Sequence, residues 1–169
     1  MSIVVVLAMH GAPPLDFPKE ELAEYFSLHA GLEHARGPDY GPLHDRYLHL
    51  ERKMRLWPRS AENDPFWAGS RDLAEALRKT CGRTVIVGFN EFCAPPLDEA
   101  LDLAAGRAAE RILVLTPMMT RGGQHAERDI PEAVDRARAR HAGETFVYVW
   151  PFPLSDIAAF LGVQVNKAF

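Results

Sequence analysis

Thr116-Pro117-Met118-Met119-Thr120-Arg121-Gly122-Gly123-Gln124-His125-Ala126-Glu127-Arg128-Asp129-Ile130-Pro131 decides how the rest of the chain is read. The apolar run Ile112 to Leu115 enters this stretch and a helical pattern leaves it, so it is a strand-to-helix junction. Its glycine pair delivers a histidine onto the turn. In an open α/β sheet, ligands bind at such junctions, just beyond the carboxyl end of a strand.

Working outward, other segments repeat the strand-then-helix pattern. Ile3 to Met9 is a continuous apolar run, expected of a strand covered on both faces in a parallel sheet. It ends at His10-Gly11-Ala12-Pro13-Pro14, a turn. Asp16 and Pro18 then open a helix on which Leu22, Tyr25, Phe26 and His29 follow helical spacing. Thr84 to Phe89 predicts a second strand, followed by Asn90-Glu91-Phe92-Cys93-Ala94-Pro95-Pro96 and a helix through Leu97, Leu101, Ala104 and Ala108. Arg111 to Thr116 is the third strand and Phe146 to Trp150 the fourth, with a short last helix over Leu154 to Leu161. Asp129 and Glu132 stand in capping-box spacing ahead of the helix that leaves the central turn, so Asp129 is expected to be a helix cap.

Residues 36–83 read as a helical insertion. Leu43, Tyr47, Leu50 and Met54 make one helical stripe that ends near Trp57-Pro58. A second helix starts after Asn63-Asp64-Pro65 and runs through Phe66, Leu73 and Leu77 to Gly82. Arg52, Lys53, Arg55 and Arg59 cluster between the two, and a solvated face is the expectation there, ahead of a wall over an acidic ligand. The whole alternation implies one α/β domain over 1–169, a parallel four-stranded sheet with right-handed crossovers and helices on both faces.

Composition narrows the function classes. A formal net charge of −4, with no sustained basic run, argues against a nucleic-acid partner. Cys81 and Cys93 make neither a disulfide framework nor a CxxC pair, which fits a reducing cytosol. Ser2 to Leu7 is too short to span a membrane and lacks the charged start of a signal peptide. No GxGxxG follows the first strand and there is no P-loop, so nucleotide binding is weakly supported.

The four strands put their following loops on one edge, and His10, Glu91 and His125 all lie just past strand ends. Two neutral imidazoles facing each other can hold a divalent transition metal or accept protons near neutral pH. A carboxylate beside them can orient one ring or take the proton onward. Few further acidic or sulfur groups stand nearby in sequence, which favours an open, transient site over a closed structural cage. His29, His34, His44, His49 and His141 fall in or beside helical patterns and are assigned no role.

Three stretches carry a resemblance. They are the apolar strand ending in His10-Gly11; Gly88-Phe89-Asn90-Glu91 with Pro96-Leu97-Asp98-Glu99-Ala100-Leu101; and Pro117, Gly123, His125 with Asp129-Ile130-Pro131. On these the chain resembles the small tetrapyrrole chelatases of the CbiX type, the sirohydrochlorin cobaltochelatases and ferrochelatases. The likeness covers roughly residues 1–30 and 84–160 and leaves the insertion mostly unmatched. It implies a chelatase-like, flavodoxin-like three-layer fold. It also implies a lyase of cobalamin- and siroheme-type biosynthesis that inserts Co2+ or Fe2+, or Ni2+ in some members, into a carboxylate-rich macrocycle. The metal is then a substrate, and neither ATP nor an organic cofactor is needed. His10 and His125 would present the metal or accept the pyrrole protons, with Glu91 assisting. Met9, Ala12 and Gln124 depart from the family pattern around the two histidines.

Met118 and Arg121 are candidate contacts to the macrocycle, as a greasy floor and a carboxylate fork, although core packing and a solvated loop are the plainer readings. Three functions compete: a chelatase, a non-catalytic carrier of tetrapyrrole or metal on the same rim, and a histidine phosphatase. The last is disfavoured because Met9 stands where a phosphate-holding arginine should precede His10-Gly11. Whether two chains pair to complete the cleft is open.

Overall fold

The computed structural model describes residues 2–32 and 40–168, so the start of the expected insertion and His34 lie outside the described residues. Four parallel strands, β1 (Ile3–Met9), β2 (Thr84–Phe89), β3 (Arg111–Leu115) and β4 (Phe146–Tyr148), lie in the order β2-β1-β3-β4. Around them are six α-helices among the described residues: α1 (Lys19–Leu32), α2 (Tyr40–Arg55), α3 (Pro65–Cys81), α4 (Leu97–Ala105), α5 (Ile130–Arg140) and α6 (Leu154–Asn166). The expected parallel four-stranded α/β fold is therefore the observed one, with shifted ends: β3 stops at Leu115, β4 at Tyr148 and α4 at Ala105, while α6 runs on to Asn166.

Side chains of successive strand residues point to opposite faces, and the two hydrophobic clusters sort by that alternation. Val4, Val6 and Ala8 join Ile112, Val114, Leu101 and Val134 on the face covered by α4 and α5. Leu7 and Met9 join Tyr25, Leu50, Met54 and Phe89 on the face covered by α1, α2 and α3. Gly88 lets α4 come close: a Cβ there would lie 2.6 Å from the Ala100 Cβ, inside van der Waals contact.

The insertion helices behave partly as expected. Asp64 caps α3 by accepting a hydrogen bond from the Trp67 amide, and Gly82 ends it in the left-handed region at φ 64°. The packed face of α3, however, is Ser70 and Ala74, while Phe66 and Leu73 are exposed. Small residues win because α3 lies close over β2. Apolar residues are also exposed on α6, where Leu154, Phe160, Leu161, Val163 and Val165 all face solvent. No described helix is long and apolar enough to cross a membrane.

On the opposite face α5 is tied to α4 by ions. Arg136 and Arg140 both donate to the Asp98 carboxylate, and Arg140 and His141 reach Asp102. Burial pushes both carboxyls up, but the hydrogen bonds and charges of these partners outweigh it and hold them below the usual carboxylate range. Their stabilising contribution is thus present above the ordinary carboxylate pKa of about 4 and is lost as pH falls through the lower folded value. Thermal melts between pH 6 and 2 should show Arg140→Met losing less stability over the acid limb than the parent protein does.

Candidate functional site

The carboxyl ends of β1 and β2 are locked together beyond the strands themselves. The Asn90 amide donates to the Met9 carbonyl at 2.9 Å, and the Glu91 amide donates to the His10 carbonyl at 2.9 Å. Gly11 makes this approach feasible. It sits at φ 106°, where L side chains are strained, and a Cβ would fall 1.9 Å from the Glu91 carbonyl oxygen. His10 and Glu91 are consequently neighbours: His10 Nδ1 lies 3.7 Å from Glu91 Oε2, too long for a hydrogen bond. That nitrogen is shielded from solvent and has no hydrogen-bond partner among the described residues.

His125 arrives from the third strand. After β3 the chain turns through Gly122, at φ 88°, and enters a single π-helical turn, His125–Asp129, that continues directly into α5. Such wide turns are common where a helix must aim a side chain at a site. Here the turn brings His125 Nδ1 to 2.6 Å from Asp129 Oδ2. Asp129 makes no side-chain cap, contrary to its reading as one, because its carboxylate is engaged by the imidazole. With Nδ1 hydrogen-bonded to a carboxylate, the tautomer assigned is Nδ1–H, which leaves Nε2 as a free acceptor.

The two histidine rings meet with centroids 4.4 Å apart and planes tilted by 50°. His10, Glu91 and His125 each offer one ligand atom, and these atoms all lie within 4.8 Å of one another. All three are partly buried. The strand-end histidines and the carboxylate thus gather on one rim, as their positions in the sequence imply.

Glu91, His125 and Asp129 line a cavity of about 390 Å³. Its other walls are Tyr25 of α1; Tyr47, Glu51 and Arg55 of α2; and Asp98 and Arg136 of α4 and α5. The two tyrosine rings stack 5.0 Å apart and their hydroxyls hydrogen-bond at 3.2 Å. Burial raises both phenols above their ordinary value, so both stay protonated near neutral pH. Four carboxylates (Glu51, Glu91, Asp98, Asp129) face two guanidinium groups (Arg55, Arg136). Arg55 is taken up by Glu51 and Arg136 by Asp98. The remaining negative charge sits beside the imidazoles, an environment that favours a cation.

Met118 and Arg121 are not among the residues lining this cavity. Met118 packs against the core, and its carbonyl accepts the Trp150 indole N–H at 2.9 Å. Arg121 stands 5.9 Å from the Trp150 ring centroid, on a separate open surface with Glu127, Pro131 and Tyr148. Sequence reasoning gave Tyr47 a packing role, set aside a wall of basic residues that included Arg55, and did not single out Glu51, although the three recur every four residues on one helix face.

A family model described as CbiX matches residues 66–159. A sirohydrochlorin cobaltochelatase of Methanopyrus kandleri is 43% identical over 49 residues, 29% of this chain and 34% of that protein, so the match spans about a third of the relative's length. The crystal structure of a CbiX protein from Marinobacter aquaeolei VT8 superposes with a TM-score of 0.54 at 15% identity, covering 98% of this chain and 97% of that one. At that identity the likeness concerns the fold alone. The sirohydrochlorin chelatase SirB of Bacillus subtilis subspecies spizizenii, solved in complex with cobalt, gives a TM-score of 0.44 at 16% identity over 89% of this chain and 44% of that one.

The close approach at Gly11 generates a test. Gly11→Ala must push the Glu91 loop away and strain its own backbone, so urea unfolding should show a loss of at least about 2 kcal/mol. A loss under about 0.5 kcal/mol would mean that the two loops are not in contact.

Proposed function

The chain belongs to the CbiX family, and from that premise we propose that it inserts a divalent metal ion, Co2+ or Fe2+ with Ni2+ as a third candidate, into a sirohydrochlorin-like tetrapyrrole. The observation that carries the proposal is the triad His10, Glu91 and His125, whose ligand atoms lie within 4.8 Å of one another beside an open cavity. Ligands sharing one ion at about 2.1 Å each lie about 3.4 Å apart in tetrahedral geometry, so side-chain shifts of about 1 Å to 1.5 Å close the set. Two imidazoles and one carboxylate suit Co2+ or Fe2+, and three ligands leave positions open for incoming pyrrole nitrogens. A metal held by a partial set can be handed on.

Insertion exchanges charge for charge: M2+ enters the macrocycle and two pyrrole N–H protons leave. His125 is arranged to take one at Nε2, because Asp129 on Nδ1 stabilises the imidazolium that results. His10, with Glu91 nearby, is the natural acceptor for the other. The acidic balance of the cavity assists both the arrival of the cation and the charging of the rings. No nucleotide is required by these steps.

The test is incubation with sirohydrochlorin and each metal in turn, following the visible absorption bands as metal enters. His125→Ala should lower the insertion rate by about 10²-fold or more, with thermal stability reduced by no more than the loss of its one hydrogen bond to Asp129, roughly 1 to 2 kcal/mol. Asp129→Asn keeps the ring but weakens its support, and should cost about 10- to 100-fold. Macrocycle binding by the parent protein without metal insertion would instead mark a carrier.

A further inference from the structure

Of the basic cluster in the insertion, Arg52 is exposed as expected, but Arg55 and Arg59 are not on a solvated face. Arg55 donates from Nη2 to the Asn90 carbonyl and from Nη1 to the Cys93 carbonyl, each at 3.0 Å. Arg59 donates from Nη2 to the Phe92 carbonyl at 2.6 Å and from Nη1 to the Ala12 carbonyl at 2.8 Å. Arg59 is itself held by an ion pair with Asp64, both side chains being 5% exposed or less. Two guanidinium groups therefore gather four carbonyls from the two loops that carry His10 and Glu91.

We propose that Arg55 and Arg59 are positioning residues that hold Glu91 in place as a metal ligand by capping the carbonyls of its own loop. The inference rests on the reading of His10, Glu91 and His125 as the metal set. The loop has a reason to need holding: Phe92 is in the left-handed region at φ 58°, a conformation that non-glycine residues keep only when their surroundings over-determine it. The remaining carbonyl in the run, Glu91, accepts the Cys93 amide at 2.6 Å, so the backbone of 90–93 has every carbonyl engaged. A planar fork is suited to bridging two carbonyls at fixed separation, whereas an ammonium acts as a point donor. Both arginines precede residue 66, outside the segment that the family model matches.

Removing Arg59 leaves Asp64 buried without its partner and risks unfolding the chain, so Arg55 is the informative site. The whole 169-residue chain is titrated with Co2+ alone, reading affinity and the visible d–d absorption, for the parent, Arg55→Met, Arg55→Lys and Glu91→Gln. Arg138→Met is the control, since it removes an arginine that donates to a carbonyl elsewhere, at Phe146. Amide hydrogen exchange at Asn90, Glu91 and Cys93 is measured on the same variants without metal. Arg55→Met should weaken Co2+ binding about tenfold or more and move the spectrum towards that of Glu91→Gln. It should also speed exchange in 90–93 at least about tenfold, with Arg55→Lys recovering only part of either loss. Arg138→Met should change neither. Wild-type exchange rates in folded Arg55→Met overturn the inference whatever the metal does. Fast exchange with unchanged Co2+ affinity and spectrum also overturns it. Co2+ binding that Glu91→Gln leaves unaltered overturns the reading of the metal set instead.

Discussion

β1 is hydrogen-bonded along both edges, to β2 and to β3, and the rest of the structure depends on that double pairing. A strand so placed cannot slide without breaking two ladders, and a one-residue slip would turn its apolar side chains to the wrong faces. β2 ends level with it, Phe89 pairing with Met9, and β3 ends opposite Leu7, two residues earlier. The loops after β1 and β2 consequently leave the sheet side by side, tied by backbone hydrogen bonds from Asn90 and Glu91 to Met9 and His10, while His125 reaches them from a turn ten residues beyond the end of β3. The rim is assembled before any chemistry is asked of it.

What the rim presents is a matched arrangement with an asymmetry. Each imidazole has a carboxylate, but the His125–Asp129 contact is a short hydrogen bond within one helical turn, while His10 and Glu91 approach across two loops without bonding. His125 is thereby pre-oriented by its own element. His10 keeps an unpartnered nitrogen, which is costly in a shielded place and is relieved when something binds there. This contrast fits the proposed brief holding of an ion: one ring is fixed, and the second has a nitrogen without a partner among the described residues.

The fold was legible because apolar runs such as Ile3–Met9 and Arg111–Leu115 alternate with helical spacings, and that alternation admits few topologies. His10, Glu91 and His125 were legible for the same reason, since the ends of parallel strands share an edge. Asp129 was misread because an Asp and a Glu three residues apart, with a proline between them, mimic a capping box, and sequence does not reveal a π turn that redirects the carboxylate to His125. Arg55 and Arg59 were misread because charge in an insertion looks like solvent contact. The carbonyls they bind lie some 30 to 50 residues away and leave no trace in side-chain pattern. Met118 was offered to the ligand on polarizability, yet its place under β3 is set by packing.

Asp64 has two duties: it caps the first turn of α3 and it balances the charge of Arg59. The start of one helix, the end of another and the loops of two strands are joined through that one carboxylate. For anyone engineering this scaffold, the stretch from α2 to α3 is therefore no detachable accessory. Excising it for a short linker would strip donors from the carbonyls of Ala12, Asn90, Phe92 and Cys93 together, so any graft in its place must supply its own.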